Sequence, residues 1–184
     1  MGARFKASLR EEWLKYLIVA VLSVALWSMA FGLYHAPRSD EKIEVFFAGT
    51  VKDRSFEKVA AGAFSELRKV EIASADPSAN TFAHKYELVA FNGSDVVILP
   101  ESVAQGTYCK DSYLEQEPCG EMFYQEGVAY GVYLPSAAKE ALGAYFDFGE
   151  ERYVVLIPGS SVNAGVLTDH AFAFEKWLVG YVQA

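Results

Sequence analysis

Residues 16–34 form a run of 19 residues without a charged side chain, drawn mostly from Leu, Val, Ala, Trp and Phe. As a helix rising 1.5 Å per residue, this run just crosses the hydrocarbon core of a bilayer, roughly 30 Å thick. No polar face interrupts it, which argues against a helix buried in a soluble core. A secretory signal peptide also begins with basic residues and an apolar stretch, but that stretch is usually about 7–15 residues and closes at a small-x-small site. Here the run is longer and its exit, Tyr34-His35-Ala36, meets Pro37, a poor neighbour for cleavage. No Cys stands near the exit to accept a lipid. The expected reading is an uncleaved signal anchor, with a cleaved signal peptide as the alternative.

The flanks set the orientation. Arg4, Lys6, Arg10 and Lys15 precede the run, and only Arg38 and Lys42 follow closely. The positive-inside bias then puts the N-terminus in the cytoplasm and everything after the run on the far side. Trp13, Tyr16 and Tyr34 fall near the two membrane interfaces, where amphipathic rings are enriched. The expected organisation is a cytoplasmic segment 1–15, a transmembrane anchor 16–34, a tether 35–42 and an extracytoplasmic domain 43–184. Localisation is thus expected at the cell membrane, single-pass.

Charge divides at the same boundary. Residues 1–34 carry four Lys/Arg against Glu11 and Glu12, or +2, and the remainder carries 12 basic against 22 acidic residues, or −10, within a net −8. A domain so acidic is repelled by phosphate backbones and anionic head groups, so nucleic acid is excluded as a partner and contact with lipid is assigned to residues 16–34 alone.

Beyond the tether the chain alternates between strand-like and helix-like patterns. Ile43-Glu-Val-Phe-Phe-Ala is β-rich and ends at Gly49-Thr50. Ser55 is placed to cap a helix presenting Phe56, Val59, Ala60, Ala63, Phe64 and Leu67 on one face. Val70-Glu-Ile-Ala-Ser-Ala is a second strand. Residues 81–91 are a second amphipathic segment with Phe82, Tyr86, Val89 and Ala90 inward, and Asp95-Val-Val-Ile-Leu-Pro100 is a third strand of the doubly covered kind. This βαβαβ order predicts an α/β fold with a small, mostly parallel sheet and helices on both faces. The second half predicts a hairpin or bent edge strand over 122–135, a helix over 136–145, a strand at Tyr153-Val-Val-Leu-Ile-Pro158 and a terminal helix over 168–181.

The residues point away from catalysis. Three histidines, scattered, have no nucleophile elbow to complete a triad. His84 with Glu87, and Asp169 with His170, are conceivable metal ligands, but surface polar residues explain them better, and no metal is expected. Gly93 and Gly106 fit no dinucleotide or phosphate-loop fingerprint, so no cofactor is expected. Cys109 and Cys119 bracket a turn-rich stretch and outside the cytoplasm are expected to close a local disulfide, worth about 2–3 kcal/mol by loop entropy. Two free thiols are the plainer alternative.

Position is more informative than motif. Ligands of open α/β sheets collect beyond the carboxyl ends of the strands, beside a topological switch point. Three predicted strands run into hydroxyl-bearing loops, Gly49-Thr50, Pro100-Glu101-Ser102 and Pro158-Gly-Ser-Ser-Val-Asn163. With Tyr130 they give the candidate ligand face Thr50, Glu101, Ser102, Tyr130, Ser160, Ser161 and Asn163. Ordinary turn and cap residues are the competing explanation.

The stretches Ile43-Glu-Val-Phe-Phe-Ala-Gly, Ser94-Asp-Val-Val-Ile-Leu-Pro-Glu-Ser, Gly127-Val-Ala-Tyr-Gly-Val and Tyr153-Val-Val-Leu-Ile-Pro-Gly-Ser-Ser-Val-Asn resemble, in order and phrasing, the extracellular solute-binding proteins of bacterial ABC importers. The resemblance spans most of residues 43–180. It implies one lobe of a periplasmic-binding-protein fold, a small solute or peptide as ligand and a membrane transporter subunit as partner. The family's members run to two lobes, and this chain has length for one, so the implied protein is a reduced, membrane-anchored, non-enzymatic relative. The alternative is a structural or interaction subunit docking on another membrane or envelope protein through Phe123, Tyr124, Tyr130 and Tyr133.

Overall fold

The α/β pattern read from the sequence folds around one mixed sheet, preceded by a single long helix. The computed structural model describes residues 2–107, 109, 111–117 and 120–181, with backbone alone for residues 2–12 and 33. Two compact units are present, Met1–Ala36 and Pro37–Ala184.

The first unit is helix α1 (Gly2–His35), in which Trp13–Gly32 is long and apolar enough to cross a membrane. Its described side chains are exposed throughout that span, including Leu22, Leu26 and Trp27. Such a helix serves as a single-pass anchor or as a signal sequence. It runs through His35, and a short 3₁₀ turn occupies Ser39–Glu41, so the expected tether is mostly structured.

In the second unit, β1 (Lys42–Ala48) leads through a two-residue strand β2 (Thr50–Val51) into α2 (Phe56–Ala63) and back to β3 (Lys69–Ala75). α3 (Phe82–Lys85) widens into an i→i+5 turn over Tyr86–Phe91 before β4 (Val96–Pro100) and α4 (Glu101–Gly106). A hairpin of β5 (Met122–Gln125) and β6 (Val128–Tyr133) follows, turning through Glu126 and Gly127, both at positive φ. Then come α5 (Ser136–Leu142), β7 (Phe146–Asp147), β8 (Tyr153–Leu156) and α6 (His170–Val179).

The main sheet has the order β3-β1-β4-β8-β6-β5. β1 pairs in parallel with β3 and with β4, and the other three pairings are antiparallel. The sheet is therefore parallel on one side and antiparallel on the other, where a mostly parallel sheet was expected. β2 and β7 pair separately.

Alternation along each strand builds two cores. Ile43, Val45, Phe47, Ile98 and Val155 face one layer with Phe56, Leu142, Phe174 and Leu178 from α2, α5 and α6. Phe46, Ala48, Val97, Leu99, Val154 and Leu156 face the other, with Ala90, Ala104 and Phe123. Coverage on both sides is why 96–100 and 153–157 read as unbroken apolar runs.

Local expectations are corrected in two places, both at α2. α2 stops at Ala63 because Phe64 takes an extended backbone, φ −125°, ψ 115°. Phe64 and Leu67 still pack on the core, whereas Val59 and Ala63 are exposed. Ser55 makes no capping bond: its N–H and hydroxyl both donate to Asp53, at 2.8 and 2.6 Å. Cys109 is a buried free thiol packed in the second core, and Cys119, its expected partner, lies outside the described residues.

Candidate functional site

The connection from β1 to β3 runs through α2 on one face of the sheet, and that from β3 to β4 through α3 on the other. After β4 the chain again takes that second face, through α4. The loops leaving β1 and β4, neighbours in the sheet, therefore diverge, and this is the topological switch point at which an open α/β sheet leaves a crevice.

A cleft of about 360 Å³ opens there. Thr50 from the β1 exit and Ser102 from the β4 exit both line it, joined by Asp76 and Ser78 beyond β3 and by the 147–151 loop ahead of β8. Each wall is fixed locally. The Gly49 N–H donates to the Ala75 carbonyl at 2.9 Å, holding the β1 and β3 exits together. Asp76 accepts from the Ser78 N–H and hydroxyl at 2.8 and 2.7 Å, and those bonds lower its carboxyl pKa. Glu151 accepts from the Ser102 N–H at 3.1 Å, and the Ser102 side chain first, with that N–H second, lowers its carboxyl pKa likewise. Lys139 of α5 donates to the Gly149 and Glu151 carbonyls at 2.6 and 2.7 Å and clamps the last loop.

Rings form the inner wall. Phe148 meets Tyr153 edge to face at 4.9 Å between centroids and Phe47 at 5.2 Å, and the Tyr153 hydroxyl accepts from the Gly149 N–H at 3.0 Å. Burial raises the Tyr153 pKa. The cleft thus offers hydroxyls from Thr50, Ser78 and Ser102, carboxylates from Asp76, Asp147, Glu150 and Glu151, and an aromatic surface from Phe148 and Tyr153. It is built to accept hydrogen bonds from a polar solute while covering an apolar part of it. Among the described residues no group of three or more His, Cys, Asp and Glu side chains is placed to hold a metal ion.

Only two of the seven expected ligand residues meet in this cleft. Glu101 turns away, accepting from the Tyr133 hydroxyl at 2.7 Å and from Gln105 at 3.2 Å. Burial first, then Glu101, pushes the Tyr133 pKa up to about 12, and Arg152 stacks on that ring at 3.6 Å. Tyr130 is buried in the second core. Ser160, Ser161 and Asn163 lie at the opposite edge of the sheet, because β8 runs antiparallel to β4 and delivers its exit loop beside the start of β1.

At that edge the three residues form a latch. Ser161 donates to Asp95 at 2.7 Å, Ser160 to the Phe91 carbonyl at 2.5 Å, and Asn163 to the carbonyls of Ser39 and Lys42 at 3.0 Å each. Asp95 accepts also from the Glu44 N–H at 2.9 Å, and Thr168 donates to the Asn163 carbonyl oxygen Oδ1 at 3.0 Å. Asp95, Ser161 and Asn163 are buried with these bonds made, so they join β1, β4 and the β8 exit. Of the aromatic hairpin residues, Phe123 and Tyr130 are buried and Tyr133 half-buried, whereas Tyr124 is exposed.

The acidic and aromatic lining of the cleft went unread in the sequence. Asp76-Pro77-Ser78 carried a turn signal, which marks a strand end without saying which edge it reaches. No family model, curated protein or solved structure matches the chain.

Proposed function

We propose that this chain is a membrane-anchored, extracytoplasmic binding protein, non-catalytic, that holds a small polar solute in the cleft between the β1 and β4 exits. The observation that carries the reading is the pairing of Thr50 and Ser102 across a topological switch point, in a cleft with hydroxyl, carboxylate and aromatic walls. That is the place and lining by which open α/β sheets take ligands. The resemblance to solute-binding proteins of ABC importers supports the same reading, with α1 as the anchor, the N-terminus in the cytoplasm and a membrane transporter as partner. One lobe supplies one wall, so capture is shallow and weak unless a partner covers the cleft.

The test is calorimetry on the full chain in nanodiscs against sugars, amino acids and short peptides. A solute that binds, and that loses at least tenfold in affinity in T50A and S102A but not in S160A at the far edge, supports the reading. No heat from any of the three classes at millimolar concentration removes it.

A further inference from the structure

A second cavity, sharing no lining residue with the cleft, opens between α6 and the 115–117 segment and measures about 540 Å³, within the range of small-ligand sites. Gln116 and Glu175 line it from within, both more than nine-tenths buried. Glu115, Glu117 and Asp169 stand exposed around it, and Phe172 adds a half-buried ring. The Gln116 N–H is bound to the Ala129 carbonyl at 2.9 Å, so the segment is held against β6.

Two features of this cavity are unexplained by folding. Gln116 Nε2 donates to Glu175 at 2.8 Å, yet Gln116 Oε1, buried, has no hydrogen-bond partner among the described residues. A buried acceptor left open is uncommon, since such atoms nearly always find a donor. Glu175, inside the same cavity, is a carboxyl with one amide donor and no ion pair among the described residues. Lys176 also lines the cavity, but it is exposed, and four carboxyl groups against one ammonium leave the lining negative. The missing element is a group that is positive, donates several hydrogen bonds and tolerates an aromatic neighbour. A primary ammonium meets all three requirements, with three N–H donors and attraction to a ring face. The carboxyl groups here do not gather as metal ligands.

We propose that this cavity is a binding site for a small organic amine, whose ammonium donates to Gln116 Oε1 and the Glu175 carboxylate while its carbon stem lies along Phe172. The exposed carboxylates of Glu115, Glu117 and Asp169 attract the cation and hold a second ammonium where the ligand carries one.

The probe is putrescine, with 1,4-butanediol as its neutral counterpart, titrated calorimetrically into the full chain in phosphatidylcholine nanodiscs at pH 8. Putrescine is expected to bind and butanediol not, with affinity falling at least tenfold in E175Q and severalfold in E117Q. T50A and S102A are expected to leave it unchanged, which separates this site from the cleft. If E175Q does not fold, E117Q on the exposed rim decides the matter alone. No heat from putrescine at millimolar concentration overturns the proposal, as does binding of equal strength in the parent and E117Q.

Discussion

The Asn163 side-chain amide donates to the Asp95 carboxylate at 3.1 Å, between residues 68 positions apart in the chain. The same nitrogen reaches the carbonyls of Ser39 and Lys42, so one side chain fixes the β8 exit, the entrance to β4 and the start of β1. Asn163 is 1 % exposed. N163A therefore removes a donor from the buried Asp95 carboxylate and from the part-buried carbonyls of Ser39 and Lys42, and is expected to destabilise the domain by about 1–3 kcal/mol. Urea unfolding of the full chain in detergent, followed by circular dichroism, measures it. N163D sets a second carboxylate against Asp95 and should cost at least as much, whereas a mutant midpoint equal to the parent's would deny the latch.

Gly131 sits in β6 opposite Leu156 of β8. A Cβ there would lie 2.5 Å from the Val155 carbonyl oxygen and under 3 Å from the Leu156 and Val154 side chains. The nearest obstacle is a backbone carbonyl within a sheet, which cannot move aside cheaply. G131A is expected to destabilise by about 1–3 kcal/mol, and a larger residue by more. G127A, in the open hairpin turn, tests a different cause: nothing crowds its Cβ, and only its φ of +84° opposes substitution. A milder loss is expected there, and thermal melts of the two variants side by side separate crowding from backbone strain.

Much of this architecture is legible in the residues. Apolar runs at 43–48, 95–100 and 153–158 announce strands, since burial on both faces demands side chains such as Phe46, Ile98 and Val155 whichever way they point. What such runs lack is direction. A buried strand reads the same parallel or antiparallel, so nothing local warned that β8 runs against β4 and carries Ser160, Ser161 and Asn163 to the edge opposite Thr50 and Ser102. The end of α2 was hidden for a related reason: Phe64 and Leu67 are needed in the core either way, and helical spacing fits them although the backbone has already turned extended. The carboxylates of the cleft come from Asp76 and from a loop between two short elements, where no periodicity exists to read.

Cys109 is 0 % exposed, and burial pushes its thiol pKa up to about 11. Reactivity follows the thiolate, and at pH 8 roughly one thiol in a thousand would be ionised even if reagent could reach it. In a C119S chain, iodoacetamide at pH 8 is expected to leave Cys109 unmodified for hours and to label it within minutes once urea unfolds the domain. Mass spectrometry of the tryptic peptide reads the outcome. Rapid labelling of the folded chain would mean that the loop opens, and a parent chain that takes no label even when unfolded without reductant would reveal the disulfide instead.

Glu175 links the second cavity to pH. Burial raises its pKa from 4.5 to about 7, against smaller lowering effects of Gln116 and Lys176. Because the folded value lies above the unfolded one, the neutral carboxyl is the form the fold prefers. Below about pH 4.5 both states hold the proton and the group is without effect. Between about 4.5 and 7 the unfolded chain releases it first, so stability falls as pH rises and stays low above 7, by roughly 3 kcal/mol at most. E175Q keeps an oxygen for Gln116 Nε2 and removes the titration. It is expected to melt several degrees above the parent at pH 8 and close to it at pH 4.5. The difference between variant and parent cancels the titration of the other carboxylates. A difference that does not grow with pH would show that Glu175 is solvated in the folded protein.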